Sequence, residues 1–290
     1  MGLISMNNKD PEIIFEIGQL YRNRIGLYRV LKIMGDKIYI EYLDTGKFDN
    51  LSIDLQKRII ANLTREQEIP GIIDKDRETF FAFVDECNNN YRSGHDLGLY
   101  KKIIDKHRNS NGIDPLLDSD DFFILVWDTL EAWNMNQRGA QLTSVEKLRE
   151  SIRSHRSILR SLYFDKLYTI VDPQIDASIS KRLHDLFCGL QVMESRRRIV
   201  GVSKTIHFLL PDLVIPIDGA YTLPYFFGYN KYDTSDESEF YTFEYIFQET
   251  YKIARRLNLT NADVNSNKWN TSVPKLIDDA IIGCFKRYGL

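Results

Sequence analysis

The stretch LYRVLKIMGDKIYIEY, residues 27–42, decides the fold of the first part of the chain. Apolar and polar side chains alternate on both sides of Gly35-Asp36, and this period of two is typical of strands with one buried face. A Gly-Asp pair between two alternating runs predicts a hairpin turn. We therefore expect two antiparallel strands, at 27–33 and 37–42.

Turn residues and short alternating runs continue on both sides of this hairpin. A turn cluster at 23–26 follows the run 18–21, and a turn at 44–46 precedes a short run at 47–52. Four or five short strands in so small a segment leave exposed edges, so we expect 17–62 to close into a small β-barrel of the SH3 or Tudor type, after an N-terminal extension at 1–16. Barrel aromatics either fill the core or clamp a methylated cation. They are Tyr21, Tyr28, Tyr39, Tyr42 and Phe48.

Beyond a polar segment at 63–75, which contains Pro70 and Gly71 and is expected to be a linker, the apolar period becomes helical. Helices are predicted at 76–88, 119–134, 143–163, 173–190, 203–210, 239–257 and 272–288, with loops at 109–114, 134–139, 219–236 and 260–270. Thr143 with Glu146 predicts a capping box, and Ser272 predicts another helix start. The expected fold class is α+β, a small N-terminal β-barrel followed by an α-helical domain at 76–290.

Composition excludes several classes of protein. The 290 residues are 43% hydrophobic and 27% charged, which is typical of globular proteins, and the net charge of -3 gives no global attraction to a polyanion. Cys87, Cys188 and Cys284 lie far apart, so we expect reduced thiols, no metal site and no cofactor. No apolar run suits a membrane span, and no P-loop, dinucleotide-binding or zinc-protease motif occurs. We expect a cytoplasmic protein without a membrane partner.

The most informative segment is RRRIVGVSKTIHFLLPDLVIPID, residues 196–218. We expect a turn at Gly201, a helix that begins at Ser203 and an extended segment that ends on Asp218. Free N–H groups at a helix start can hold a phosphate, and Lys204 adds positive charge there. Pro216 excludes a helix just before the aspartate. The basic run that precedes the turn is Arg196, Arg197 and Arg198.

This order resembles the helix-hairpin-helix DNA glycosylases, in which a glycine hairpin and the helix after it grip the DNA backbone and the chain returns to a catalytic aspartate. The resemblance implies DNA-backbone contacts at Gly201 and Ser203, although Ser203 stands where the family has its second glycine. It implies catalytic roles for Asp218 and Lys204. A flipped base would stack on Tyr221 or Tyr225. The segment also resembles part of a family of uncharacterised prokaryotic proteins, which implies no activity.

Structural roles explain the same residues equally simply. A helix followed by an apolar strand is common packing, and an aspartate after the strand often caps the next helix. Lys204 and Asp218 would then serve the fold alone. His207, on an apolar helix face, is expected to be a core residue with its hydrogen bonds satisfied.

Four arginines on the predicted helix 143–163 form a second feature. Arg149, Arg153, Arg156 and Arg160 follow at intervals of four, three and four residues, which places them on one helix face. Residues 145–206 contain 12 Lys and Arg against 7 Asp and Glu, an excess of 5 positive charges. This asymmetry predicts a polyanion partner, whereas the alternative is a solvated face offset by nearby glutamates.

These observations predict a nucleic-acid-binding protein, with DNA favoured, and a possible role in base-excision repair. The alternative is a non-enzymatic adaptor whose barrel binds a protein segment on a helical scaffold. A basic groove beside a recessed Asp218 favours the first function. Arginines that pair within the chain favour the second.

Overall fold

The computed structural model describes residues 13–22, 27–43, 46–68, 71–90, 94–137, 139–173, 177–227, 235–265 and 267–288. The chain divides into two compact units, Met1–Pro70 and Gly71–Leu290. The described strands and one helix belong to unit 1, and unit 2 is helical. The chain therefore has the expected α+β class.

Unit 1 contains an antiparallel sheet in the order β1-β2-β3-β4. Its strands are β1 (Leu20–Arg22), β2 (Leu27–Met34), β3 (Lys37–Tyr42) and β4 (Phe48–Ser52). The predicted hairpin joins β2 to β3, and Gly35 adopts the positive φ of 59° that its turn requires. Among the described residues the ladder ends at β1 and β4, so the sheet is open and the barrel type stays a prediction. The expected turns at 23–26 and 44–46 lie outside the described residues except for Gly46, whose φ is 63°.

The alternation of β2 and β3 separates their side chains between two faces. Tyr28 faces Tyr42 across the ladder, with ring centroids 6.0 Å apart, and both rings are buried. Tyr39 and Phe48 are exposed instead. The predicted aromatic set is thus divided between core and surface, because neighbouring strand positions point to opposite faces.

Helix α1 (Ile53–Glu68) replaces the end of the predicted barrel segment 17–62, where residues 53–62 are helical, and covers part of the predicted linker 63–75. Ile53 and Ile60 are two helical turns apart, and both pack against the buried core of the sheet. This helix was not predicted because only one of its faces is apolar and the sequence after residue 63 is polar. Farther on, Ile73 and Asp74 are buried in unit 2, where Asp74 pairs with Arg256. Residues 69 and 70 lie outside the described residues.

Unit 2 consists of helices joined by connections of differing length. They are α2 (Arg77–Asn90), α3 (His95–Arg108), α4 (Asp114–Asp118), α5 (Asp120–Ala132), α6 (Val145–Ser154), α7 (Arg156–Leu162), α8 (Ala177–Gly189), α9 (Ile199–Leu209), α10 (Thr222–Phe227), α11 (Asp236–Arg256) and α12 (Val273–Tyr288). Helices α3, α4 and α10 were not predicted. The predicted loops at 134–139, 219–236 and 260–270 include residues 138, 228–234 and 266, which the structure does not describe.

The predicted single helix 143–163 is wrong, because it is two helices that meet at His155. The Ser154 hydroxyl and the His155 ring both hydrogen-bond to the Ser151 carbonyl oxygen at this junction. Side chains of this kind compete with the backbone and interrupt a helix. The N-cap is Ser144, whose hydroxyl accepts from the Lys147 N–H, and not Thr143 as predicted.

The predicted hairpin at Gly201 and helix start at Ser203 are also wrong. Helix α9 begins at Ile199, so both residues lie inside it, and every residue from Gly201 to Leu209 is buried. A Cβ at Gly201 would come 2.3 Å from the Met193 sulfur. This glycine therefore makes room for a neighbouring side chain within a helix and does not turn the chain.

Helices α2 and α12 have the most extensive helix–helix contact in unit 2. They approach most closely at Gly283, where an added Cβ would lie 1.8 Å from the backbone oxygen of Phe83. Backbone cannot move aside as the end of a flexible side chain can, so only glycine fits at this crossing.

We expect Gly283→Ala to destabilise the protein by about 3 kcal/mol, the upper range for overpacking, because the methyl group must push α12 away from α2. Gly98→Ala is the matched control in α3, where an added Cβ meets nothing within 4 Å. It should stabilise by about 0.5 kcal/mol through helix propensity. Urea unfolding measures both changes, and equal effects of the two substitutions would contradict the close crossing.

Candidate functional site

Three polar side chains of the buried helix α9 hold the extended segment 214–218. The Ser203 hydroxyl accepts a hydrogen bond from the Ile217 N–H at 3.1 Å. The Lys204 ammonium lies 3.3 Å from a carboxylate oxygen of Asp218. One turn later, His207 Nδ1 lies 2.6 Å from the Val214 carbonyl oxygen. The helix thus fixes this segment at three points and sets the position of Asp218.

His207 is a core residue with satisfied hydrogen bonds, as the sequence predicted. A carbonyl oxygen can only accept, so Nδ1 carries the proton and donates to Val214. Nε2 then accepts from the Tyr100 hydroxyl at 2.8 Å, and that hydroxyl oxygen lies 2.7 Å from the Thr271 hydroxyl. Burial lowers the pKa of His207 to about 3, so the ring is neutral.

Asp218 stabilises the local fold through hydrogen bonds, and its side chain also lines a pocket. One carboxylate oxygen accepts from the Ala220 N–H at 2.7 Å, and the Asp218 N–H donates to the Thr222 hydroxyl at the start of α10. The other oxygen contacts Lys204. The Asp218 side chain is 30% exposed while that of Lys204 is only 6% exposed. The aspartate therefore supports the turn before α10 and also presents an accessible carboxylate.

Asp218 and Lys204 line a pocket with two tryptophans. Trp133 follows α5 and Trp269 precedes α12, and their ring centroids are 6.2 Å apart. The Lys204 ammonium lies 5.5 Å from the centroid of the Trp133 ring. The pocket therefore combines flat aromatic surfaces with charged groups, which suits a planar polar ligand.

A second buried charge cluster forms another wall of the pocket. Lys275 of α12 donates to Asp278 at 2.8 Å and also to Asp279, and all three side chains are almost fully buried. Burial raises the pKa of Asp278, and it raises the pKa of Asp279 to about 7. Burial opposes the charge on Lys275, but the two aspartates raise its pKa well above the usual value. Burial and the neighbouring carboxylate thus oppose ionisation of both aspartates, while Lys275 favours it.

One oxygen of Asp278 remains available in this cluster. Its Oδ1 is buried and has no hydrogen-bond partner among the described residues, and the residue lines the pocket. A buried acceptor without a partner is unfavourable unless something binds to it. Asp278 therefore leaves one oxygen of the charge cluster unsatisfied next to the pocket.

No prediction from the sequence included Trp133, Trp269, Lys275 or Asp278. A signal was present in SVPKLIDDAII, residues 272–282, where a lysine and two aspartates at spacings of three and four interrupt an otherwise apolar helix. Such charges within a buried face need partners at i+3 or i+4. This pattern could have identified the cluster, although not its neighbours from other helices.

The four arginines lie on two helices, Arg149 and Arg153 on α6 and Arg156 and Arg160 on α7, and they pair within the chain. Arg149 and Arg153 contact Asp120 at 3.1 and 3.0 Å. Arg156 and Arg160 contact Asp114 at 3.4 and 2.8 Å, and Arg156 also pairs with Asp118. Hydrogen bonds from these guanidinium groups lower the pKa values of Asp114 and Asp120. The arginine face, defined as these four residues, therefore meets three aspartates.

The other predicted nucleic-acid contacts do not converge on Asp218. Arg198 is mostly buried, pairs with Asp236 and donates to the Leu190 carbonyl oxygen at 2.7 Å. Arg196 is exposed and Arg197 is half-buried. Gly201 and Ser203 lie inside the buried helix, away from solvent.

The two tyrosines predicted to stack on a base lie elsewhere as well. Tyr225 is buried, and its hydroxyl accepts from the Gly71 N–H at 3.3 Å. Tyr221 packs against Phe285, with ring centroids 5.9 Å apart. Neither lines the pocket of Asp218, where Trp133 and Trp269 provide the aromatic rings.

Two further features of unit 2 lie apart from this pocket. A larger cavity of about 460 Å³ is lined by Arg108, Lys166 and Asp212, and burial raises the pKa of Asp212. Among the described residues, one group of three side chains has the spacing of metal ligands. It consists of His184, Cys188 and Glu237.

We expect Asp279 to contribute a fall in the free energy of unfolding as pH rises from about 4 to about 7, because folded Asp279 keeps a proton that the unfolded chain loses near its ordinary pKa of 3.8. This contribution opposes that of His107 and His207, whose lowered pKa values make stability rise with pH, so it is read from the difference between wild type and variant. Asp279→Asn should flatten this fall by at most about 1.4 kcal/mol per pH unit, the effect of one proton. Urea unfolding across this window measures it. Asp105→Asn, at an exposed carboxylate, is the control. Identical slopes in the wild type and Asp279→Asn would show that Asp279 is ionised throughout.

Comparison with known proteins identifies no relative. No family model, no curated protein and no solved structure matches the chain. Within the described ranges, none of the helices has the length and apolar character needed to cross a membrane.

Proposed function

We propose that unit 2 binds nucleic acid, with DNA favoured, and takes one unpaired base into the pocket beside Asp218. The observation that carries this proposal is a partly exposed carboxylate, anchored by a buried lysine, in a pocket with two tryptophan rings. Bases that leave a duplex are held by stacking on aromatic rings and by hydrogen bonds to their polar edges. Trp133 is partly exposed and supplies a ring, and the carboxylate of Asp218 supplies an acceptor for the polar edge of the base. Trp269 is buried against Tyr100 and forms the floor behind that ring.

The pocket supports base excision as the chemistry. Cleavage of the bond between base and sugar develops positive charge on the sugar, and a fixed carboxylate stabilises that charge or orients the attacking water. Asp218 is the residue with this role. Lys204 contacts Asp218 and acts as a positioning residue that fixes the carboxylate. The resemblance to the helix-hairpin-helix glycosylases adds support through Asp218, although α9 provides no hairpin at Gly201.

The DNA backbone needs positive charge at the surface. Residues 145–206 carry an excess of 5 positive charges, and the exposed Arg196 belongs to this region. The arginine face has four cations against three aspartates, so phosphates must compete with those aspartates for the guanidinium groups. The arginine face therefore supports the proposal less strongly than the pocket does.

The internal pairing of the arginine face favours a second function, in which the protein is a non-enzymatic adaptor. Unit 1 then completes a barrel of the SH3 or Tudor type and binds a protein segment. Its sheet exposes apolar side chains suited to such contact, at Leu31, Met34, Tyr39 and Phe48. This function requires neither an accessible Asp218 nor a free arginine.

We expect wild-type protein to release a base from at least one member of a panel of duplexes with damaged bases, and Asp218→Asn to slow the release by about 100-fold or more. Asparagine keeps the hydrogen bond to Ala220 and removes the charge. Asp105→Asn, at an exposed carboxylate in α3, should have no effect. Rates are compared at matched folding and DNA affinity. Absence of release from every lesion would refute base excision, and equal rates would refute the role of Asp218.

We expect the double substitution Arg149→Glu and Arg160→Glu to weaken DNA binding and flatten its salt dependence, because fewer counterions are released from the phosphates. The double substitution Asp114→Asn and Asp120→Asn is the matched control, because it changes the charge of the same surface in the opposite direction. It frees the same arginines and should strengthen binding at low salt. Fluorescence anisotropy over a range of salt concentrations measures both. If neither double substitution changes the affinity for DNA, the arginine face has a structural role only and the adaptor function is favoured.

A further inference from the structure

Helices α8 and α11 bring three different metal-ligand atoms together. His184 and Cys188 are one turn apart on α8, and Glu237 lies in the first turn of α11. His184 Nε2 is 3.1 Å from Glu237 Oε2 and 3.7 Å from the Cys188 sulfur. All three ligand atoms lie within 4.8 Å of one another. Nitrogen, sulfur and oxygen donors thus surround one point between the two helices.

These separations match the edges of a zinc coordination tetrahedron. Zinc binds histidine nitrogen and carboxylate oxygen at about 2.0–2.1 Å and cysteine sulfur at about 2.3 Å. At the tetrahedral angle, these bond lengths place nitrogen about 3.3 Å from oxygen and about 3.6 Å from sulfur. The measured separations of 3.1 and 3.7 Å are close to both values. The Cys188 sulfur and the Glu237 oxygen lie within 4.8 Å of each other, so this third edge closes by up to about 1.2 Å when an ion binds.

The His184 ring is already held in the orientation that a metal ion needs. Its Nδ1 lies 3.3 Å from an Asp185 carboxylate oxygen, and Lys181 pairs with another oxygen of that aspartate at 2.9 Å. A carboxylate at Nδ1 keeps the proton there and leaves the Nε2 lone pair for a metal. The ring of Phe240 packs edge-on against the imidazole, with centroids 4.7 Å apart.

We propose that His184, Cys188 and Glu237 bind one Zn²⁺ ion, with water as the fourth ligand. The thiolate and the imidazole select zinc over magnesium and calcium, which prefer oxygen ligands. The side chains of His184 and Glu237 are 33% and 55% exposed, so solvent reaches the site. The ion joins α8 to the first turn of α11 and stabilises their contact.

The same side chains can also form an ion pair without a metal ion. The experiment must distinguish this ion pair from zinc binding. A protonated His184 can donate to both Asp185 and Glu237, and this ion pair uses the same two contacts. Cys188 takes no essential part in such a pair. Dependence on the cysteine therefore distinguishes a metal site from a surface ion pair.

The test is titration of the metal-free full-length protein with Zn²⁺ by calorimetry and with Co²⁺ by absorption spectroscopy. We expect one ion per chain, a thiolate-to-cobalt charge-transfer band and a Tm that rises with Zn²⁺. Cys188→Ser should abolish the band, and both Cys188→Ser and Glu237→Gln should weaken Zn²⁺ binding at least tenfold. Glu249→Gln, the same change farther along α11, should leave all three signals unchanged.

Three results would overturn the zinc site. They are absence of stoichiometric Zn²⁺ binding by wild type, a charge-transfer band that persists in Cys188→Ser, and affinity that is equal in wild type and Glu237→Gln. Two variants on different helices guard against loss of binding through misfolding, and circular dichroism of each checks its fold. The site does not line the pocket of Asp218, so failure here leaves the proposed function unaffected.

Discussion

The structure of unit 2 depends on how the buried helix α9 satisfies its polar side chains. Ser203, Lys204 and His207 lie on a helix that is buried from Gly201 to Leu209, and each must find a partner inside the protein. All three find partners in the segment 214–218. This constraint places Pro216 and Asp218 against the helix and builds one wall of the pocket. The site therefore follows from a packing requirement.

The local parts of this arrangement could be predicted from the sequence. The extended segment before Asp218, the core position of His207 and the β2–β3 hairpin follow from residue order and period alone. The start of α9 could not be found in this way. Glycine at 201 and serine at 203 are typical of a turn and a cap, yet both fit a helix whose neighbours are Met193 and Ile217. Tertiary contacts decided the conformation there, and propensity did not.

The ion pairs of the four arginines could not be predicted from local sequence either. The spacing of Arg149, Arg153, Arg156 and Arg160 predicted one helix face, but the four residues lie on two helices that meet at His155. Their partners on α4 and α5 lie some thirty to forty-six residues earlier in the chain, for example Arg153 with Asp120 and Arg160 with Asp114. A net-charge count over 145–206 omits those aspartates, so the excess of positive charge overstated what is free to meet a polyanion. The group of His184, Cys188 and Glu237 was not predicted either, because Glu237 is distant in sequence from the other two residues.

The buried charges beside the pocket are hard to explain by stability alone. Placing Lys275, Asp278 and Asp279 in the interior removes three charged groups from water, and well-packed apolar residues of similar size commonly serve a fold as well or better. Their own contacts do not satisfy every atom, because Asp278 Oδ1 has no partner among the described residues. The cluster is incomplete, and two of its residues, Lys275 and Asp278, line the pocket. Lys204 and Asp218 share that pocket, so the ligand meets two cations and at least two carboxylates at once. Under the proposed function, this combination of donors and acceptors holds the polar edge of a nucleobase.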